Sequence, residues 1–488
     1  MISKRQQKLK KSVVKRAKHD SATPAALIEF MMGHWQKKTT KRLIPIKNWV
    51  KHAARRRRLA QAFPHETLII PTGREKMRNS STPYRFRAAS DFYYLVGNLE
   101  PDCVLVLQPQ KQGRHKHVLY VEPDCSRKDQ RFFTDRIKGE LWVGPRLTLH
   151  ENKIRYRVDE CQPLAELETL LRKLKKRRSS YRIVRNIDPV FDAKWARHKK
   201  RDDELATFIA EMRIVKDQTE IDALVQAAKT TRSAFEDIIK LLPKARNERE
   251  LECAFASRAR LLGNDVGYGV IVAAGAHACT LHWPNNDGPI SKKDLVLIDA
   301  GVESHELYTA DVTRTIPASG RFSQTQKIIY ELVLSAHLAA MNAVKPGNDF
   351  LAPHRAAAKV LAQGLEHLGI LSMSAKIALE KQKQYYRRYT LHSTSHLLGL
   401  DVHDCDRARQ KRYRRGKLET GMVLTIEPGL YFQKDDLTVP KKYRGIGIRI
   451  EDDVLVTKSG YRVLTNIPRT VAAVESWIKK VLTKIKKC

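Results

Sequence analysis

The sequence has no run of apolar residues near the roughly 18–20 that a membrane-spanning helix requires. Cysteine is scarce and scattered, with seven residues in a chain of 488 and none of them in a CxxC pair. An odd number of widely spaced cysteines argues against a disulfide framework and against a thiolate metal site. We therefore predict a protein of a reducing compartment, the cytoplasm, and the 42% apolar content predicts a globular fold.

Acidic residues are few relative to basic ones, with 53 Asp and Glu against 91 Lys and Arg, which gives a net charge of +38. The first 60 residues contain 18 Lys or Arg against only Asp20 and Glu29, a net +16, so the rest of the chain still carries +22. The excess is thus a property of the whole chain. A generally basic surface is the preferred interpretation, because no nucleic-acid-binding motif accompanies the charge. Weak, non-specific polyanion binding is the alternative, and a mitochondrial presequence is the alternative for the basic amino terminus.

The length of the chain predicts two domains. Residues 1–45 form a basic extension, and residues 46–205 are predicted to be a smaller mixed α/β domain with its own sheet. Residues 206–488 are predicted to be a second, larger domain, in which Thr219 caps the first long helix and a second helix covers residues 248–262. Helices and strands come in blocks, which indicates an α+β fold with a curved, mainly antiparallel sheet whose concave face could hold a site.

Two aspartates stand at the ends of predicted strands. Asp299 follows the apolar strand Leu295–Ile298, and Asp311 lies twelve positions further along the chain. Alternation in the next strand places Thr313 and Thr315 on the same face as Asp311, and a hairpin between the two strands would bring the aspartates together. Taken alone, such a pair is more often a solvated surface feature.

The remaining candidates lie in the last hundred residues. The segment LHSTSHLLGLDVHD contains His392, His396 and His403, and Glu427 ends another apolar strand. Arg449 and Glu451 share one face of a strand whose other face carries isoleucines. Four carboxylates brought to one place would repel each other unless cations neutralised them. Oxygen ligands with one imidazole and no sulfur suit two hard divalent ions such as manganese.

Several segments resemble the Xaa-Pro aminopeptidases (aminopeptidase P) of the pita-bread metallopeptidases, family M24B. In the catalytic half they are LVLIDAGV, YTADVTRT, SHLLGLDVHD, VLTIEPGLY and RGIGIRIEDD. Upstream, PYRFRAASDFYYLVGNLEPDCVLVL is similar to the amino-terminal domain of these enzymes, and EMRIVKDQTEIDAL to its junction with the catalytic domain. The resemblance covers roughly residues 46–478, and the serines of HSTSH stand where relatives often have glycine.

The resemblance implies a role for each candidate. The implied metal ligands are Asp299, Asp311, His396, Glu427 and Glu451, and the implied catalytic residues are Glu427, His392, His403 and His282. Tyr268, His282 and Arg449 are implied to bind the substrate. Two divalent ions, expected to be manganese, would share a hydroxide that attacks the first peptide bond of a peptide with proline in second position. Glu427 would move the proton, and the protein would be a homodimer or homotetramer.

Three other activities fit parts of this pattern. A prolidase shares the ligands but accepts only dipeptides, and the amino-terminal similarity favours aminopeptidase P over it. A methionine aminopeptidase lacks the large amino-terminal domain, and a creatinase-like enzyme needs no metal. A non-catalytic binding protein on the same scaffold, with a polyanion partner, is supported only by the +38 charge.

Overall fold

The computed structural model describes residues 23–36, 43–80, 82–177 and 179–485. It divides into two compact units, Met1–His198 and Lys199–Cys488. The boundary predicted between residues 205 and 206 falls inside the helix Lys199–Arg213. Most of the predicted basic extension lies outside the described residues. Among the described residues, no helix combines the length and apolarity needed to cross a membrane.

The helices of the amino-terminal unit are α1 (Ala25–Met32), α2 (Trp49–Ala62), α3 (Ser90–Val96), α4 (Arg131–Thr134), α5 (Glu140–Val143), α6 (Leu149–Tyr156), α7 (Leu164–Lys176) and α8 (Pro189–Trp195). Its strands are β1 (Thr67–Pro71), β2 (Val104–Pro109), β3 (His115–Val121), β4 (Glu160–Pro163) and β5 (Tyr181–Ile183). They form one sheet in the order β4-β3-β2-β1-β5. The central pairs are antiparallel, and β4 and β5 pair in parallel at the edges. This is the predicted mixed α/β unit.

The core of this unit lies between its sheet and helix α7. All five residues of β1 are buried, as is typical of a strand covered on both faces. Helix α7 buries Leu167 and Leu171, spaced four apart, and turns its lysines to solvent. The two leucines pack with Ile69 and Val106 of the sheet in one apolar cluster.

The helices of the second unit are α9 (Lys199–Arg213), α10 (Gln218–Leu241), α11 (Glu248–Leu262), α12 (Gln324–Asn342), α13 (Ala352–His367), α14 (Ala375–Ala378) and α15 (Val471–Ile485). Its strands are β6 (Asp265–Val266), β7 (Ile271–Ala274), β8 (Leu295–Asp299), β9 (Val302–Glu303), β10 (Thr313–Pro317), β11 (Val423–Ile426), β12 (Gly429–Tyr431), β13 (Gly447–Arg449), β14 (Asp452–Val456) and β15 (Tyr461–Val463). Their pairings are antiparallel, in the orders β10-β8-β7, β11-β14-β15, β12-β13 and β6-β9. The predicted α+β class with antiparallel strands is confirmed for this unit.

One predicted helix cap is wrong. The residue that caps α10 is Asp217, whose carboxylate accepts hydrogen bonds from the backbone N–H groups of Thr219 and Glu220. The Glu220 carboxylate in turn accepts a hydrogen bond from the Asp217 backbone N–H, which completes a capping box. Thr219 therefore lies inside the first turn. An aspartate and a threonine two positions apart are both good caps, and the reciprocal Glu220 contact decides between them.

Strand alternation separates a core face from a site face in the second unit. Ile448 and Ile450 are fully buried in the apolar core, as predicted, and Arg449 and Glu451 lie on the other face. Arg314 of β10 also points away from that face and is fully buried. Its guanidinium makes five hydrogen bonds, to the carbonyls of Thr313, Glu451, Ile467 and Pro468 and to the Asp452 carboxylate. Arg314 thereby fixes the Glu451 backbone from the face opposite the site.

Candidate metal centre

Three of the predicted ligands converge on a single buried position. Asp311, His396 and Glu451 each offer a ligand atom, and these atoms all lie within 4.8 Å of one another. His396 Nε2 is 3.3 Å from Asp311 Oδ2 and 3.5 Å from Oε1 of Glu427. Glu427 follows β11 and Glu451 precedes β14, and these two strands pair with each other. The adjacent strand ends therefore bring the two glutamates to the same place.

Asp299 joins this group through Tyr268. The Tyr268 hydroxyl is 2.7 Å from Asp299 Oδ1 and also hydrogen-bonds Oδ1 of Asp311. Asp299 is the last residue of β8 and stands opposite Thr313 in the antiparallel pair with β10. Strand β10 begins at Thr313, so Asp311 precedes the strand rather than opening it. The hairpin still brings the two aspartates to one hydroxyl, as the spacing predicted.

The electrostatics of the cluster favour a cation. Burial raises the pKa of Glu451 well above its usual range, and the charges of Asp311, Glu427 and Asp299 add to the effect. Burial also raises the pKa of Asp311. A raised pKa means that the negative charge of the ionised carboxylate is not balanced by nearby positive charge. A bound divalent cation would supply that positive charge. Oxygen donors with one imidazole fit hard divalent ions, so the residues present suit the metal that the sequence predicts.

His396 and Glu427 have pKa values shifted in favour of their charged forms. Burial would lower the pKa of His396, but its hydrogen bond with Asp311 and the charge of Glu427 raise it to about 9. Burial would raise the pKa of Glu427, but the hydrogen bond from His392 and nearby positive charges lower it to about 2. Glu427 is thus ionised at neutral pH.

A second layer of side chains links Asp299 to Glu427. Arg449 donates to Asp299 Oδ2 at 2.6 Å and to the hydroxyl oxygen of Tyr431 at 2.8 Å. The Tyr431 hydroxyl contacts His392 Nε2 at 2.8 Å, and His392 Nδ1 lies 3.4 Å from Glu427 Oε2. We call this series the Arg449 relay. It gives Arg449 and His392 positions beside the cluster, and it includes Tyr431, which the sequence analysis missed although VLTIEPGLY contains it.

Thr313 is a further residue without a predicted role. Its hydroxyl donates to Glu451 Oε2 at 2.6 Å and accepts from Arg449 Nε at 3.0 Å. The signal was available in the sequence, because strand alternation placed Thr313 on the face of Asp311. A threonine on a site face is nevertheless a common sheet residue, and its partner is more than a hundred positions away.

The two other predicted histidines lie on the solvent side. The ring of His403 stands at 89° to that of His396, with a centroid separation of 4.4 Å. Burial lowers the pKa of His403, and the positive charges of His396 and His282 act in the same direction. His282 is exposed and within electrostatic reach of His403. The structure therefore places His403 at the edge of the cluster and His282 further out.

The segment that carries His282 is anchored by a carboxylate that sequence reasoning did not identify. Glu248, at the start of α11, is fully buried. Its Oε1 accepts from the Ala274 backbone at 2.7 Å and contacts His277 Nδ1 at 2.9 Å. Its Oε2 accepts from Trp283 Nε1 and from the Gly288 backbone, both at 2.8 Å. One side chain thus fixes both ends of the segment from Ala274 to Gly288.

Glu248→Gln is expected to lower the free energy of unfolding by about 1–3 kcal/mol, because the amide NH2 must face donors in a buried site. Urea unfolding of the variant measures this change. Glu250→Gln is the matched control, since Glu250 lies on the same helix with its carboxylate in surface contacts to Arg246 and Asn247. Equal stability of the two variants would contradict an anchoring role for Glu248.

Comparison with known proteins agrees with this geometry. Residues 222–458 match the family model of metallopeptidase family M24, and residues 52–184 match that of the aminopeptidase P amino-terminal domain. Xaa-Pro aminopeptidase 1 of Streptomyces coelicolor is 46% identical over 457 residues, covering 93% of this chain and 91% of its own. Xaa-Pro aminopeptidase 2 of the same organism is 42% identical over 459 residues, covering 93% of this chain and 96% of its own.

Solved structures of aminopeptidases are also similar to this chain. The aminopeptidase PepP of Pseudomonas aeruginosa superposes with a TM-score of 0.79 at 33% identity, covering 90% of this chain and all of its own. Aminopeptidase P of E. coli superposes with a TM-score of 0.79 at 29% identity, covering 89% and 99%. Since both domains, the relatives and the fold agree, the chain belongs to the Xaa-Pro aminopeptidases of metallopeptidase family M24.

Proposed function

We propose that this enzyme releases the first residue from peptides whose second residue is proline. The observation that carries the proposal is the buried group of Asp311, His396 and Glu451, with Glu427 beside His396 and Asp299 linked to Asp311 through the Tyr268 hydroxyl. The similarity to named Xaa-Pro aminopeptidases over more than nine tenths of the chain supports this substrate class.

We propose that two divalent ions, manganese in the first place, are held by Asp299, Asp311, His396, Glu427 and Glu451. When bound, such ions lower the pKa of a water molecule and polarise the carbonyl group of the scissile bond. The oxygen-rich donor set supports manganese over softer metals. Thr313 and Arg449 orient the carboxylates of Glu451 and Asp299 through the hydrogen bonds described above.

Glu427 is proposed as the group that takes a proton from the attacking water and returns it to the leaving nitrogen. Its low pKa keeps it ionised, and Thr425 Oγ1 at 3.3 Å and His392 at 3.4 Å fix the direction of its oxygens. His403 is proposed to hydrogen-bond the oxyanion that develops on the carbonyl oxygen, and His392, whose two ring nitrogens already have partners, to orient Glu427. The Arg449 relay holds the His392 ring at its Nε2, and His392 Nδ1 contacts the Ser393 carbonyl oxygen at 2.9 Å and lies 3.4 Å from Glu427 Oε2.

Tyr268, His282 and Arg449 are proposed to line the substrate position. An Xaa-Pro bond is a tertiary amide without an N–H, so the site needs no acceptor there and can select the proline ring by shape. His282 is exposed on the segment that Glu248 anchors, which makes it available to a peptide. We further propose a cytoplasmic homodimer or homotetramer, with any polyanion binding weak and non-specific.

Hydrolysis of an Xaa-Pro-Xaa tripeptide by the manganese-loaded protein tests the proposed function. We expect release of the first residue from this peptide, and no cleavage of a matched tripeptide with alanine in second position. An Xaa-Pro dipeptide is the third substrate. Cleavage confined to the dipeptide would identify a prolidase instead, and no turnover with manganese, cobalt or zinc would reject a peptidase function.

A further inference from the structure

The amino-terminal unit contains a cavity of about 640 Å³ that no step of peptide hydrolysis uses. It lies between α2, the loop before β3 and the end of α6. Its lining includes Trp49 and Ala53 of α2, Arg114 of the loop, and Arg157 and Asp159 after α6. The volume is within the range of roughly 300–1,000 Å³ that small-ligand pockets occupy.

The lining of this cavity is strongly basic. Five permanent cations contribute to it, namely Arg56, Arg57, Arg114, Lys153 and Arg157. Asp159 is the one acidic residue in the lining, and its Oδ2 already accepts the backbone N–H of His117 at 2.7 Å. The cavity therefore concentrates positive charge well beyond what its own residues neutralise.

Arg56 shows how little of this charge is compensated. It is fully buried, and its terminal nitrogens donate to the carbonyls of Leu95, Tyr156 and Arg157. Carbonyl oxygens satisfy hydrogen bonds but carry no full charge. Burial lowers the pKa of Arg56 to about 10; the charge of Asp159 offsets part of this effect, and the charge of Arg57 adds to it. An anion in the cavity would reverse that effect.

The cavity also has an aromatic wall. Trp49 is half-buried, and the Arg157 guanidinium lies 5.0 Å from the centroid of its ring. Such stacking restricts the guanidinium to a plane, which prepares it for paired hydrogen bonds to the oxygens of one anionic group. Ala53, one turn along α2 from Trp49, leaves space beside this wall.

We propose that the cavity binds an oligophosphate, either free or as the phosphate chain of a nucleotide. Several phosphate groups joined in one molecule match several cations spread over one cavity, whereas a single carboxylate would leave most of them unpaired. The charges come from α2, the loop before β3 and the end of α6, so a linear chain of phosphates can contact all three. A recessed cavity fits a small molecule better than a nucleic-acid strand.

Isothermal titration of the metal-loaded, full-length protein tests this site, after gel filtration to remove free ions that oligophosphates would chelate. The probes are tripolyphosphate and ATP. In Arg57→Glu the dissociation constant for both probes is expected to rise about tenfold or more, because one exposed cation of the lining is reversed. Tighter binding of ATP than of tripolyphosphate would identify a nucleotide, and equal binding would identify the free chain.

The matched control is Arg58→Glu. Arg58 is exposed, adjoins Arg57 on α2 and lies outside the lining, so this variant has the same net charge and tests a general effect of the basic surface. It is expected to bind both probes like the parent protein. Lys153→Glu provides a second variant, on α6, and should weaken binding as Arg57→Glu does.

If Arg57→Glu and Arg58→Glu weakened the binding of the probes equally, the effect would be one of net charge, and the proposal would be overturned. So would the absence of measurable binding to the parent protein. Tripeptide hydrolysis measured without phosphate should be the same in all three variants, since the residues of the metal centre lie in the other unit. The test therefore succeeds or fails independently of the proposed peptidase function.

Discussion

Replacing Glu427 by glutamine is expected to lower kcat for an Xaa-Pro tripeptide by roughly 10²–10⁴-fold, the usual contribution of a positioned acid–base group. Glutamine has nearly the same shape and can still accept a hydrogen bond through its amide oxygen, but it cannot take up a proton. Glu427 is half-buried, with His392 and His396 as its ionisable neighbours at 3.4 and 3.5 Å. Steady-state kinetics with manganese in excess measures the loss.

Two controls accompany this variant. Metal content determined by elemental analysis shows whether the loss reflects catalysis or an emptied site, because Glu427 is also a proposed ligand. Glu419→Gln removes a carboxylate that pairs with Arg412 on the surface, and it should leave kcat unchanged. Near-normal turnover in Glu427→Gln with full metal content would refute the proposed proton transfer.

Asp311→Asn is expected to abolish both metal retention and activity. Outer-shell substitutions typically weaken metal binding about 10–100-fold, so the loss of a charged ligand at the centre of the cluster should exceed about a hundredfold. Asparagine keeps one oxygen but removes the negative charge that two cations would share. Metal content after dialysis against dilute chelator, followed by tripeptide hydrolysis, measures both losses.

The thermal stability of the metal-free form separates this effect from unfolding. Burial and the neighbouring Asp299 raise the pKa of Asp311, so its charge is unfavourable when no cation is bound. Removing that charge should leave the Tm of the metal-free variant close to that of the metal-free parent. Asp349→Asn, at an exposed carboxylate paired with Arg355, is the control and should retain metal. Unchanged metal content in Asp311→Asn would reject its assignment as a ligand.

The cluster of candidate ligands could be predicted from the sequence because three of its carboxylates stand at the ends of strands. Asp299 closes β8, Glu427 follows β11 and Glu451 precedes β14, and apolar alternation fixes which face each one occupies. In an antiparallel sheet, the end of one strand lies beside the start of its partner. The carboxylates therefore come together once the strands that pair are known. The family resemblance supplied that pairing.

The supporting residues could not be predicted in the same way. In the sequence, Tyr431 and Thr313 are ordinary strand residues. Their roles depend on hydrogen bonds to Arg449, which is 18 positions from Tyr431 and 136 positions from Thr313. Glu248 begins a helix, where an acidic residue is expected for reasons of capping and the helix dipole alone. Nothing in its own neighbourhood shows that four donors from residues 274–288 converge on it.

The Arg449 relay has a consequence for metal exchange. Asp299, His392 and Glu427 are each held by protein groups through the relay, so much of the orientational entropy of the site is lost during folding rather than on metal uptake. Manganese, cobalt and zinc would then encounter nearly the same arrangement of oxygens and nitrogen. Differences in turnover among these metal forms would report the Lewis acidity and preferred coordination number of each ion, with little contribution from protein reorganisation.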